Sequence, residues 1–283
     1  MPWFIWKNKN SLSDFGIWIS KLPNRTRPEE RHEEIEIPGR AGTLVLLEGE
    51  DVYPSYQNEF VVTVRNNLNI DGIIDWLTGS GDMVFSVDPD FAHEVQIVGK
   101  VSFERVGNCL MQATIPILCK PFKKKARKES SISVTANTST TINNPGNVAS
   151  KPQISFTGYG NQTITVNGVA LAMNNMPGGE TIVDCENHII LVYAQAYNAN
   201  AHYYVGEYVT YAGDETWDAG LYRFLTEGVG SEQTWEKVSW DGQPFQYIWP
   251  GRYSGEYPVL KKGSNTVLSS VAINIDPCWR WKG

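Results

Sequence analysis

Residues of the types that bind metals or exchange protons lie close together in the segment Asp88–His93, which reads Asp-Pro-Asp-Phe-Ala-His. Asp88, Asp90 and His93 could form an acid–base pair or ligate a metal ion. Aspartate and proline are also typical turn residues, because proline fixes φ and aspartate bonds to its own backbone. We therefore interpret the segment as a turn, and we predict no catalytic residue, no metal ligand and no cofactor.

Sequence motifs of the common enzyme classes are absent from the chain. It has no Gly-x-Ser-x-Gly element, no H-E-x-x-H element and no P-loop, and its four histidines are at positions 32, 93, 188 and 202. Glycosidases place their two carboxylates by three-dimensional geometry, so a cell-wall glycosidase stays open as an alternative. Our prediction is that the protein is not an enzyme.

The cysteines, which are Cys109, Cys119, Cys185 and Cys278, form no C-x-x-C pair and have no histidine at metal-ligand spacing. Structural zinc therefore has little support. Cysteine is among the most frequently buried residue types. We expect four buried, reduced thiols.

One basic run stands out in a chain whose net charge is −7. Its members are Lys120, Lys123, Lys124, Lys125, Arg127 and Lys128. Such a run could indicate nucleic acid, yet Phe122 is the only interleaved aromatic residue, and the polar stretch Ser130–Asn147 follows. We interpret the run as a solvated start of the boundary between two domains, and we predict no specific nucleic-acid binding.

Length and hydrophobicity set outer limits on the architecture. A chain of 283 residues with 41% hydrophobic residues can build two domains with real cores. The N-terminal segment Met1–Lys7 is charged too early for the core of a signal peptide. No apolar run approaches the roughly 20 residues of a membrane helix, so we expect neither secretion nor membrane insertion.

The first half of the sequence predicts an α+β domain over residues 1–128. Glu34–Ile37 alternates as a strand, Pro38-Gly39 ends it, and the next apolar strand follows Gly42. One convincing helix covers Ile70–Leu77, where Asn69 or Asp71 can cap it. The other predicted strands are 58–65, 83–87, 95–98, 101–105 and 110–118.

The second half predicts a β-sandwich over residues 129–283, with a segment inserted between two of its strands. Asn167-Gly168 is the strongest hairpin signal, since both residues tolerate positive φ. The predicted strands are 153–157, 163–166, 169–171, 181–185, 189–193, 257–260, 266–269 and 271–275. The period-2 pattern breaks for about 50 residues after position 194, which defines the insert as residues 195–249.

The inserted segment is rich in aromatic and acidic residues. It holds 13 aromatic residues and eight acids, against the two bases Arg223 and Lys237. Acids beside aromatic rings disfavour phosphate backbones and suit sugars, whose apolar ring face stacks on a flat side chain. We predict a core of Tyr208, Tyr211, Tyr222 and Trp235, and sugar contacts from Trp217, Tyr222, Trp240 and Trp249. A purely structural or protein-contact role is the equally weighted alternative.

Five short motifs in order resemble the distal tail protein (Dit) family of siphovirus-type bacteriophages. They are Ile37–Gly42, Trp76–Gly79, Phe85–Pro89, Cys119–Phe122 and the ending Tyr257–Asn265. The resemblance covers nearly the whole chain outside the insert. It implies a galectin-like second domain in a mainly β protein, and no enzymatic chemistry.

The resemblance also implies where the protein works and what it contacts. It implies a hexameric ring of this chain at the virion tail tip, made in the host cytoplasm. That ring would join the tail tube protein to a baseplate or fibre protein. A free-standing bacterial carbohydrate-binding protein without a virion role is the alternative, and the missing signal peptide counts against it.

A second resemblance concerns the insert alone. Tyr204–Gly213, then Tyr222, then Trp235 resembles the small chitin-binding type-3 carbohydrate modules. Glu207 stands where those modules usually have aspartate, and the extra residues Asp214–Ala219 lengthen one loop. This resemblance implies that the insert binds a polysaccharide of the host cell surface.

Overall fold

The computed structural model describes residues 1–26, 28–36, 43–47, 52–65, 68–229 and 234–282. The chain forms two compact units, Met1–Lys128 together with the chain from Arg280, and Glu129–Trp279. Nearly all strand pairs are antiparallel, and the described residues include two short helices. These observations confirm the predicted mainly β class.

The first unit contains one large sheet and both helices. Its elements are β1 Phe4–Trp6, β2 Lys9–Asn10, α1 Ser11–Phe15, β3 Trp18–Lys21, β4 His32–Glu36, β5 Thr43–Leu47, β6 Tyr56–Arg65, α2 Ile70–Trp76, β7 Ser80–Phe85, β8 Phe91–Ile97, β9 Glu104–Val106 and β10 Leu110–Lys125. The order in the sheet is β2-β1-β7-β8-β10-β6-β3. Among the described residues, strands β4 and β5 pair only with each other. The predicted turn at 37–42 lies outside those residues.

Helix α2 is the predicted helix, and it packs on the core of the first unit. Asn69 is the N-cap, and its side chain accepts the N–H of Gly72 at 3.1 Å. Trp76 Nε1 donates to the carbonyl of Trp6, and Trp6 Nε1 donates to the carbonyl of Trp76. The two indoles therefore fasten the helix to strand β1. Helix α1 was not predicted, because five residues capped by Asn10 are too few to show a helical period.

The basic run differs from its predicted place. As far as Lys125 it belongs to strand β10 instead of opening a solvated linker. Lys120, Lys123 and Lys124 pair with Glu94, Asp88 and Asp82 at 2.5, 2.8 and 2.9 Å. Because acids of β7, of β8 and of the turn between them neutralise these lysines, the run can continue the sheet. The segment after Phe85 forms the predicted turn between β7 and β8.

A last strand, β26 Trp281–Lys282, returns to the first unit and pairs with Phe122 and Lys123 of β10. The Trp281 ring meets Phe91 edge-on with 5.0 Å between centroids. Lys282 Nζ contacts the hydroxyl and the ring of Tyr53. The sequence pattern gave no sign of this return, since two residues carry no period.

The second unit is the β-sandwich with its inserted sheet. Its strands are β11 Ile132–Val134, β12 Thr140–Asn144, β13 Gln153–Val166, β14 Val169–Asp184, β15 Ile189–Tyr193, β16 Gln195–Ala196, β17 His202–Tyr203, β18 Tyr208–Tyr211, β19 Gly220–Phe224, β20 Gly228–Val229, β21 Trp235–Val238, β22 Gln246–Ile248, β23 Tyr253–Gly255, β24 Gly263–Ser269 and β25 Ile273–Asp276. The predicted strand Tyr257–Leu260 is wrong. Pro258 lacks an N–H, and Leu260 alone forms a bridge, to Ser150.

The long hairpin β13–β14 pairs with different strands at its two ends. Asn167 and Gly168 turn it with φ of 52° and 84°, as predicted. One end of β13 pairs with β25 and its other end with β24. Likewise, β14 pairs with β23 near its start and with β15 near its end.

The insert leaves and re-enters the sandwich at one place. Strand β22 pairs with β15, and the N–H of Ala194 donates to the carbonyl of Phe245 at 2.8 Å. Between these two residues lie a four-stranded sheet, β16-β18-β19-β21, and a two-stranded sheet, β17-β20. The insert is therefore a small sheet structure whose two ends are adjacent.

Substitution of Trp76 tests how α2 is held in the first unit. Trp76→Phe should lower the free energy of unfolding by about 1 kcal/mol, because the carbonyl of Trp6 loses a donor while apolar contact remains. Trp76→Ala should lower it by about 3–5 kcal/mol, because it also leaves a cavity. Denaturant titration followed by tryptophan fluorescence measures both values. Val106→Ala, at an exposed site, should change the value by under about 0.5 kcal/mol.

Candidate functional site

The inserted sheet has an aromatic core of its own. Tyr203, Tyr222 and Phe224 are buried, and Tyr203 stacks on Phe224 with 4.3 Å between centroids. Tyr211 and Trp235 pack on this cluster, as predicted. Tyr208 also packs as a core residue, but against Phe245 and Tyr247 at 4.8 and 5.1 Å. Most rings of the insert therefore hold the insert together.

The four predicted sugar-contact residues fall into two groups. Trp217 and Trp240 are 41% and 38% exposed, whereas Tyr222 and Trp249 are 1% and 5% exposed. The Tyr222 hydroxyl donates to the carbonyl of Asp218 at 2.8 Å. A ring enclosed by neighbours has no free face for a sugar, so Tyr222 and Trp249 are corrected to packing residues. Sugar contact stays a prediction for Trp217 and Trp240.

Trp217 is held by the loop between β18 and β19. Asp214 accepts the backbone N–H groups of Thr216 and Trp217, each at 2.7 Å. The other oxygen of Asp214 accepts the Tyr211 hydroxyl at 2.5 Å, and these bonds hold the pKa of the carboxyl below its usual value. The Trp217 ring also meets Trp235 edge-on at 5.6 Å. Its exposed face is therefore presented from an ordered loop.

Trp240 lines an open cleft of about 720 Å³ at the end of the four-stranded sheet. Its Nε1 donates to the carbonyl of Gln243 at 2.6 Å, and the N–H of Gln243 donates to Asp241 at 3.0 Å. The indole is thus fixed in orientation while a face stays exposed. The sequence did not indicate this cleft, since it forms where the ends of four strands meet.

Glu207 joins the insert to the sandwich and was not recognised as a structural residue. It is fully buried, and its two oxygens accept Trp249 Nε1 at 2.6 Å and the N–H of Tyr204 at 3.0 Å. The Tyr204 hydroxyl reaches Asn174 and Asn175 of β14. Burial raises the pKa of the Glu207 carboxyl to about 7, against the opposing effect of the two hydrogen bonds.

Both basic residues of the insert are paired with acids. Lys237 Nζ lies 3.3 Å from Asp218, and Arg223 lies 3.6 Å from Glu236. The remaining acids give the segment its net negative charge. The insert consequently offers rings, hydroxyl groups and carboxylates to a ligand, but no unpaired cation.

The four cysteines differ in burial. Cys119 and Cys185 are buried, but Cys109 and Cys278 are exposed, so the expectation of four buried thiols is wrong for the latter two. Both exposed cysteines lie in irregular backbone between strands. Within the described ranges, no group of three or more His, Cys, Asp or Glu side chains could hold a metal ion. No helix in that part of the chain is long and apolar enough to cross a membrane.

The chain has a mainly β fold, in which the first unit contains the helices and the second unit is a sandwich that carries an inserted sheet. The crystal structure of SPP1 Dit (gp 19.1), described as a paradigm of the hub adsorption apparatus in phages infecting Gram-positive bacteria, is similar with a TM-score of 0.60. The similarity covers 97% of each chain at 12% sequence identity. No family model and no curated protein sequence matches. The chain therefore has a Dit-like fold.

The buried Glu207 carboxyl gives a pH-dependent prediction. Its folded-state pKa of about 7 is above the ordinary value of 4.5, so its stabilising effect is complete below pH 4.5 and is lost as pH rises through 7. Stability of the second unit should fall by roughly 1–3 kcal/mol between pH 4.5 and pH 8. Glu207→Gln should remove this dependence, because glutamine keeps the acceptor without the charge.

Thermal unfolding between pH 4.5 and pH 8 measures the effect of Glu207. Glu236→Gln is the matched control, since Glu236 is an exposed acid on the same sheet, and it should keep the wild-type slope. Equal slopes for wild-type protein and Glu207→Gln would contradict the assignment.

Proposed function

We propose that the protein is a structural hub at the tail tip of a phage virion. The observation that carries this proposal is the fold similarity to SPP1 Dit along 97% of both chains. Six copies would form a ring that joins the tail tube protein to a baseplate or fibre protein. The protein would have a mechanical role, and its work would be done by interfaces, with no chemical step.

The first unit offers a contact element for such a ring. Strands β4 and β5 form a hairpin that pairs with no other strand among the described residues. A two-stranded hairpin is marginally stable by itself in water. We propose that it lies against a neighbouring subunit in the ring, where it would gain a packing partner.

The charge pattern suits a ring through which DNA passes. Three lysines of the basic run are paired with acids, and Lys125 lies over the Phe91 ring at 4.2 Å. Strong phosphate binding needs cations that are free to replace counterions. A run in which three of six cations are paired with acids would hold DNA less tightly, so this observation supports a conduit over a specific nucleic-acid binder.

The inserted sheet would bind polysaccharide on the host cell. Trp217 and Trp240 present ring faces from ordered loops, and acids and hydroxyl groups surround them. Each site would bind weakly. Six sites on one ring would raise the overall affinity, because the later contacts become intramolecular.

Assembly state tests the hub. Light scattering should give about six times the protomer mass of 31.7 kDa, alone or after mixing with the tail tube protein, and negative stain should show rings. Replacing residues 195–244 by a short Gly-Ser loop should leave the ring intact, because Ala194 and Phe245 are already adjacent. A protein that stays monomeric in both conditions would favour the free-standing carbohydrate-binding alternative.

Glycan binding by the insert is tested with purified host cell wall. Trp217→Ala and Trp240→Ala should each reduce retention by about tenfold, since loss of one aromatic stacking contact costs roughly 1–3 kcal/mol. Tyr253→Ala removes an exposed ring of the sandwich and should bind like wild-type protein. Unchanged retention of the variant lacking the insert would rule out this role.

A further inference from the structure

The cleft beside Trp240 lies at one end of the four-stranded sheet. Four strand ends supply it, namely the ends of β16, β18 and β21 and the start of β19. Its volume of about 720 Å³ is within the range of roughly 300–1,000 Å³ that is usual for ligand sites. The cleft can therefore receive a short oligosaccharide.

Two aromatic rings and several small residues line the cleft. Trp240 and Tyr211 line it, and each ring has its polar atom tied by a hydrogen bond to the protein. Their orientations are therefore set before a ligand arrives, which lowers the entropic cost of binding. Ala212, Ala219 and Gly220 also line the cleft, and the small side chains of the two alanines leave room for a flat ring beside them.

The polar groups of the cleft are hydroxyls and one ammonium. Thr210 and Ser239 line it, and Lys237 is the only charged lining residue in the described part of the chain. The Lys237 stem crosses directly over Gly220, where an added Cβ would lie 2.8 Å from Lys237 Cε. This path brings its ammonium to Asp218.

The charges around the cleft are unfavourable for an anionic ligand. Lys237 already pairs with Asp218, and the loops on either side carry Asp214, Glu215 and Asp241. A phosphate or carboxylate on the ligand would meet this excess of negative charge with no unpaired cation to offset it. An uncharged sugar would meet no such repulsion.

We infer that this cleft is a subsite for an uncharged pyranose chain, which lies against Trp240 and Tyr211 and is bound in preference to polyanionic glycans. The inference rests on the proposed glycan binding by the insert and specifies its site and ligand class. Hydroxyl groups of the sugar exchange hydrogen bonds with Thr210, Ser239 and the Lys237–Asp218 pair. The acidic surroundings supply the selection against anionic chains.

Calorimetric titration of the full-length protein tests the inference with three probes. Uncharged tetramers of N-acetylglucosamine and of glucose represent the proposed ligand class, and a tetramer of galacturonic acid is the anionic counterpart. At least one uncharged tetramer should bind, and the anionic one should bind at least tenfold more weakly at low salt. The difference should shrink in 0.5 M salt, because screening reduces repulsion.

Variants of the cleft residues locate the binding. Trp240→Ala should weaken binding of the uncharged tetramer at least tenfold, and Trp240→Phe should restore much of it by keeping a ring. Tyr253→Ala serves as the matched aromatic control and should bind like wild-type protein. The melting temperatures of all variants check that each one is folded.

The outcomes separate this inference from the broader proposal. Binding that is lost in Trp217→Ala but unchanged in Trp240→Ala would overturn the cleft while glycan binding by the insert stands. Equal or tighter binding of the anionic tetramer would overturn the selectivity. Failure of both uncharged tetramers to bind would overturn the subsite, and retention on host cell wall would then decide the broader proposal separately.

Discussion

The pairing of β13 with β14 is the constraint on which the second unit depends. These two strands bond to each other along most of their length, and each also bonds to different partners at its two ends. Their register therefore sets the positions of the other sandwich strands. It also sets β15, which leads directly into the insert, so the place of the inserted sheet follows from the hairpin.

Most aromatic residues of the insert pack against one another, and a few lie at its surface. A sheet of about 50 residues can bury little surface, so most of its rings pack on one another. Among its aromatic residues, Trp217 and Trp240 are the exposed ones. The backbone N–H of Trp217 and the indole N–H of Trp240 are both hydrogen-bonded within their loops. Composition alone thus overstates the binding surface, and burial decides which rings are available.

Local sequence signals predicted local structure well. The Asn167-Gly168 turn and the Asn69 cap are confirmed because each depends on a few adjacent residues. Strand β10 was predicted too short, since its lysines are neutralised by partners that are distant in sequence. The same limit applies to strand β26, which is placed by pairing with a strand more than 150 residues earlier.

The sequence predicted which segment holds the candidate site, but not which of its residues are exposed. An excess of aromatic and acidic residues located the insert, and Trp217 and Trp240 are exposed as a sugar contact requires. Tyr222 and Trp249 have the same chemistry but lie inside, because three-dimensional neighbours cover them. The role of Glu207 was equally hidden, since a carboxylate accepts an indole N–H only when the chain brings Trp249 back beside it.

The return of β26 to the first unit has a consequence for synthesis. Trp281 and Lys282 leave the ribosome after the whole second unit, yet they complete the sheet that begins with the first residues of the chain. The sheet of the first unit can therefore gain β26 only after the second unit has been synthesised. Until β26 pairs with it, the Phe122–Lys123 end of β10 lacks one of its partner strands, so the last step in forming this sheet depends on residues that are distant in sequence.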